Sequence, residues 1–137
     1  MKKYVILAIL FIICSILLFS FCKDGCVDIQ YSRFAQTVFA PDPDDSHALM
    51  DVKQEDFELI KLLFQGKILY KEDGVPSCGF SDSVAIVFDR EKTFCIAQDT
   101  CAVVYWKEKD CYFNLFDWEM RKLHSVLKAY GFHFPCI

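Results

Sequence analysis

Between Ser83 and Leu115 the chain reads SVAIVFDREKTFCIAQDTCAVVYWKEKDCYFNL, and the architecture is written most plainly here. Short runs rich in Val, Ile, Phe, Tyr and Trp alternate with polar turns. Val84, Ile86 and Phe88 share one face of the first run, because successive side chains of a strand point to opposite sides. Asp89-Arg90-Glu91-Lys92 makes a turn, and Thr93 to Ala97 is a second run. Gln98-Asp99-Thr100 turns again before Ala102 to Trp106. Lys107 to Asp110 is a charged turn, and Cys111 to Leu115 a fourth run. Short strands joined by tight turns predict a small antiparallel β-meander of three to four strands.

Working outward, each flank of the meander carries a helical pattern. Upstream, Phe57, Ile60, Leu63 and Phe64 recur at three- and four-residue spacing, predicting an amphipathic helix over Asp51–Gln65. Asp51 and Gln54 stand at capping-box spacing, and Gly66 is placed to stop the helix. Lys67 to Tyr70 then reads as a short strand. Downstream, Met120, Leu123, Leu127 and Tyr130 form the stripe of a second helix over Asp117–Tyr130, closed by Gly131. Trp118 falls off that stripe and marks an exposed contact patch for a partner or the membrane. The expected fold class is α+β: one helix before the meander and one after it, packed on one face of the sheet.

The amino terminus is of another kind. Lys2 and Lys3 precede an uncharged, apolar run from Tyr4 to Phe21, preceding the domain with a signal or transmembrane helix. Its 18 residues give a helix of about 27 Å, just enough for a bilayer core. Three fates fit: a retained anchor, cleavage at the weak Ser20-Phe21-Cys22 site, or lipidation of Cys22 as a lipoprotein. Phe21 and Phe19 sit where a lipobox has a small residue and a leucine. The chain divides into 1–22 (signal or anchor), 23–50 (extended arm) and 51–137 (a single α+β domain). The arm's apolar cluster at Phe34–Phe39 is a candidate docking segment.

Beyond the anchor, 13 Lys and Arg stand against 19 Asp and Glu. That acidic balance argues against nucleic acid, whose phosphates need a basic face. Partners are therefore expected to be the membrane, through the N-terminal segment, and a protein. Of eight cysteines, Cys14 and Cys22 belong to the apolar segment. The other six, Cys26, Cys78, Cys95, Cys101, Cys111 and Cys136, are expected to form disulfides in an exported chain. Cys78 with Cys136 would close a loop of about 60 residues, worth about 3–4 kcal/mol in the chain-entropy model. Cys95 with Cys101 would bridge the turn between two strands.

Ser77-Cys78-Gly79-Phe80, Lys92-Thr93-Phe94, Asp99-Thr100-Cys101, Tyr130-Gly131-Phe132 and Phe134-Pro135-Cys136 together resemble a small uncharacterised domain of bacterial exported and lipoprotein-like proteins. The resemblance covers Cys78 to Ile137, carries no activity, and implies only that this block is a unit.

No catalytic or cofactor motif survives scrutiny. Gly79-Phe80-Ser81-Asp82-Ser83 lacks the second glycine of a nucleophile elbow and precedes a strand rather than following one. Asp42, Asp44 and Ser46 mimic the opening of a calcium loop, but His47 and Lys53 occupy the glycine and glutamate positions. His133 and Cys136 are two metal donors, too few for a zinc site. Asp99 is expected to cap its own turn. The functional expectation is a non-catalytic, membrane-tethered binding or accessory protein of the envelope. The alternative is a thiol-dependent enzyme or redox protein using Cys101 or Cys136, with His124 or His133 as base.

Overall fold

The computed structural model describes residues 2–40, 48–71, 79–99 and 101–134 and, within the first helix, side chains from Tyr4 to Ile16. The architecture is mixed α+β, with a six-stranded antiparallel sheet and three α-helices. The strands are β1 (Ala35–Phe39), β2 (Ala48–Asp51), β3 (Val84–Phe88), β4 (Lys92–Ile96), β5 (Val103–Trp106) and β6 (Cys111–Asn114), in spatial order β2-β1-β3-β4-β5-β6. The helices are α1 (Lys2–Gly25), α2 (Gln54–Phe64) and α3 (Asp117–Leu127).

β3 to β6 form the expected four-strand meander. Its register places Ile86 opposite Phe94, Phe94 opposite Trp106, and Val104 opposite Phe113. All of these point to the helix side, where Phe57, Ile60, Leu63 and Phe64 of α2 and Met120, Leu123 and Leu127 of α3 close the core. Phe64 is the hub. Its ring lies 5.4 Å from Phe94 and 5.2 Å from Phe113, both edge-on, the geometry that the ring quadrupoles favour.

The sheet is wider than the predicted three to four strands. Residues 35–39 and 48–50, assigned to an extended arm, form its other two strands together with Asp51, which was assigned to the helix, and β1 is paired along β3. Their signal is weak because β1 turns Ala35 and Thr37 inward, one small and one polar. Val27 and Ile29 of the same stretch are also buried in the core.

The β3–β4 turn binds this arm down. Asp89 and Arg90 both have positive φ, 51° and 63°, as the mirror-image turns that match strand twist require. Asp89 accepts the Arg33 N–H at 2.9 Å and donates its own N–H to Phe34. Partial burial pushes the Asp89 carboxyl up. The Arg33 amide first, with the Ser32 hydroxyl, the Phe34 amide and Lys92, more than offsets this and holds it below the ordinary range.

The expected capping box of α2 does not form. Asp51 ends β2 and accepts a 2.8 Å hydrogen bond from Gln36, its cross-strand partner, so its carboxylate is not free to cap. A residue 77 positions away does that work instead: the Tyr130 hydroxyl accepts the Lys53 N–H at 2.9 Å and donates to Asp56 at 2.5 Å. Burial first, and the Asp56 carboxylate second, raise the Tyr130 pKa. Gly66 and Gly131 terminate their helices in the left-handed region, φ 77° and 83°.

Lys67 to Tyr70 is a strand in all but length. Tyr70 exchanges two hydrogen bonds with Tyr112 of β6 (2.9 and 2.8 Å), while Val27 N–H donates to Lys67 and Leu69 N–H to Gly25, both at 2.8 Å. The chain leaving α1 is thereby stitched to the β6 edge of the sheet. Lys67 Nζ pairs with the buried carboxylate of Glu119 at 2.5 Å, and Glu119 also accepts the Phe116 N–H at the start of α3 (2.8 Å).

The described side chains of α1 are exposed throughout and all apolar save Ser15, whose hydroxyl donates to Phe11 C=O at 2.8 Å. Among the described residues, no helix is long and apolar enough to cross a membrane.

Tyr130→Phe keeps the ring but strips both hydroxyl bonds, so it is expected to lower unfolding free energy by about 1–3 kcal/mol in urea titration. An unchanged midpoint would show that α2 is capped by water instead.

Candidate functional site

The side of the sheet away from α2 and α3 carries the remaining chemistry. Strand alternation sends Ala85, Cys95, Tyr105 and Tyr112 to it, and Cys95 stands opposite Ala85 on one side and Tyr105 on the other. Four rings gather here. Tyr105 and Tyr112 are 5.0 Å apart, and Phe80 lies 5.8 Å from each. Tyr70 lies 6.0 Å from Tyr112. The hydroxyls are tied into the sheet, Tyr70 donating to Asn114 at 2.7 Å and Tyr105 to Asp110 at 2.9 Å. The Asp110 carboxylate, as acceptor, pushes the Tyr105 phenol up to about 12, so it is a donor and not an anion.

Cys95 is a buried free thiol. Burial first, and then Asp82, push it up to about 11 against the opposing pull of Lys107. A thiol held neutral in this way is a poor nucleophile. Cys101, by contrast, is disulfide-bonded. The expected Cys95–Cys101 bridge is therefore not made, and the register explains why. Ile96 pairs with Val104 and Cys95 with Tyr105, so Cys101 lies about four residues, or about 13 Å, further along the ladder. A disulfide needs Cα atoms about 4.4–6.8 Å apart. Cys111 and Cys14 are free thiols as well. Cys78 and Cys136 lie outside the described residues, as does the Cys22 side chain within α1.

The two histidines do not serve a cysteine base role at Cys95. His124 projects from α3 on the helix side, stacked on Phe134 with ring centres 3.8 Å apart, so the sheet separates it from Cys95. Burial, aided by Lys128, lowers its pKa below the ordinary value. His133 is exposed, edge-on to Phe39 at 4.9 Å. Among the described residues, no three His, Cys, Asp or Glu side chains converge in a way that would hold a metal ion. The calcium-like stretch at Asp42, Asp44 and Ser46 lies outside them.

Asp99 accepts the Cys101 N–H at 2.8 Å, two residues on, as a turn-capping carboxylate does. Ser81 accepts the Ser83 N–H at 3.1 Å and so shapes the approach to β3, which is not a nucleophile's setting. What the sequence missed is the tyrosine face. Its four rings come from four separated segments, and only the register of β5 against β6 and the Tyr70–Tyr112 bridge unite them.

No family model, curated protein or solved structure matches the chain.

Two measurements probe these groups. Iodoacetamide near neutral pH should modify Cys95 at least about a hundredfold more slowly in the native protein than in urea, as its thiolate fraction falls with the raised pKa. Peptide mass mapping reads the rate, and fast native labelling would contradict the buried thiol. For His124, the lowered folded pKa means that the unfolded chain binds the proton more readily. Stability should fall as pH drops through about 6.5 and level off below the folded value. His124→Gln should remove that part of the slope in urea midpoints measured across the range.

Proposed function

We propose that this chain is a membrane-tethered, non-catalytic domain on the outer side of a membrane, held by α1 and acting as a binding or accessory protein of the envelope. One observation carries the reading: among its described side chains, α1 has no polar face. Its described side chains from Tyr4 to Ile16 are all exposed, and the same uncharged character runs on in the sequence to Phe21. A helix that is apolar on every side belongs in lipid or in a protein core, and these side chains are not in this protein's core. Lys2 and Lys3, at the start of α1 and ahead of its apolar run, favour an orientation with the amino terminus in the cytoplasm, which sends the domain outward. Ser15 bonds back to Phe11 C=O, so its own hydroxyl is satisfied in hydrocarbon.

The chemistry of the sheet supports a binding role over catalysis. A neutral buried thiol, hydrogen-bonded phenols and a histidine on the other side of the sheet do not make a nucleophile and its base. The thiol-dependent alternative would instead run through the disulfide of Cys101. It is separated by treating the native protein with mild reductant: a disulfide that opens readily favours redox function, and one that resists favours a structural staple.

Carbonate extraction of membranes holding the full chain tests the tether. The wild type should stay in the pellet. Ile12→Asp with Ile13→Asp, costing about 2.5–3.5 kcal/mol each at the helix centre, should release it. Intact mass of the pelleted protein, against 15.9 kDa for the whole chain, reports whether the segment is retained, cleaved or lipidated. Wild-type protein extracted wholly into the carbonate supernatant would refute the proposal.

A further inference from the structure

We infer that the outward face of α3 is a second membrane contact, docking the domain onto the anionic headgroups of the bilayer that holds α1; this rests on the tether proposed above. Exposed apolar side chains also occur at Tyr31, Phe34, Leu49, Met50 and Leu62, but three others are linked in one place. Phe116 (65% exposed) and Trp118 (55%) stand at the first turn of α3, and Ile68 (75%) lies in the strand-like segment Lys67–Tyr70. Lys67 links the two groups, its ammonium on Glu119 of α3 and 4.9 Å from the Phe116 ring centre. Cys26, the first residue after α1, is paired directly with Ile68. The apolar cluster therefore lies at the point where the chain leaves its anchor, and Trp and Tyr-like rings at that level are what an interface holds.

The charge pattern points the same way. Beyond the anchor the chain is acidic, yet the acids are not spread evenly. On α2 the outward side chains include Glu55 and Glu58. On α3, Arg121 and Lys122 follow Trp118 at three and four residues, so they share its face, and Lys128 continues it. All three are exposed, and none is in an ion pair among the described residues. Asp117 borders the face at the helix start, where the helix dipole favours it. Aromatic residues flanked by basic ones on one exposed helix face are the composition of an interfacial helix. The tether supplies the proximity, so a modest surface attraction suffices.

The test uses the full chain in vesicles of zwitterionic lipid alone or with phosphatidylglycerol, each with and without acyl-brominated lipid. There are two tryptophans, and Trp106 is buried in the core. The difference in emission between wild type and Trp118→Phe therefore isolates Trp118, with no burden on folding because the site is exposed. Flotation of the protein with the vesicles is scored first. The expected result is flotation, bromolipid quenching of the Trp118 component, and stronger quenching with phosphatidylglycerol. Arg121→Gln with Lys122→Gln should lower the docked-to-free ratio about twenty-five-fold, at about fivefold per charge. Flotation with Trp118 unquenched by bromolipid but quenched by aqueous acrylamide overturns docking and leaves the tether standing. Trp118 shielded from both quenchers means that protein covers this face, and also overturns it. Failure to float refutes the tether and docking together.

Discussion

The register of β3 against β4 is the constraint on which the rest of the molecule depends. With Ile86 opposite Phe94 and Ala85 opposite Cys95, the rings of Phe88, Phe94, Trp106 and Phe113 fall on the helix side. A slip of one residue would turn Phe94 out and Cys95 in, because strand side chains alternate with a period of two. The Phe64 ring of α2 would then lose its edge-on contact with Phe94, and with it the seat on which the helix rests. The turn that holds this register is costly. Arg90 sits at positive φ, a conformation that disfavours a side chain by about 1–2 kcal/mol. The Asp89 carboxylate offsets that cost by binding the amide of Arg33 and so drawing β1 onto β3.

From this follows a two-sided sheet with different chemistry on each side. The helix side is a phenylalanine core closed by α2 and α3, in which Glu119 is bound by Lys67 and the Phe116 amide and His124 stacks on Phe134, while Trp106 Nε1 and His124 Nε2 are buried without a hydrogen-bond partner among the described residues. The far side collects tyrosines with their hydroxyls bonded to Asn114 and Asp110 and a thiol held neutral by burial. Rings whose polar tips are already satisfied offer contact area without reactivity, which suits recognition better than catalysis.

The Lys67–Glu119 pair joins two segments that are distant in the chain. One is the segment hydrogen-bonded to the exit from α1, and the other is the first turn of α3 with Phe116 and Trp118. Breaking a pair so nearly buried would leave Glu119 with only a backbone amide for company, a strongly unfavourable state. The link between α1 and α3 is thus a matter of charge as well as of chain connectivity.

Local pattern determined much of this by itself. The four strands of the meander, the apolar stripes of α2 and α3, the stops at Gly66 and Gly131, the Asp99 turn and the exposed place of Trp118 all follow from periodicity and turn chemistry acting over a few residues. Tertiary structure decided what depends on distant partners. β1 carries Ala35 and Thr37 inward and became a central strand only because β3 lay open beside it. Asp51 was drawn into β2, so the α2 cap came from Tyr130 instead. Cys95 and Cys101, six positions apart in the chain, were separated by the ladder that set Tyr105 opposite Cys95. In each case a hydrogen bond or ring contact across the sheet outweighed the local preference, because pairing partners far apart in the chain leave no mark in either segment alone.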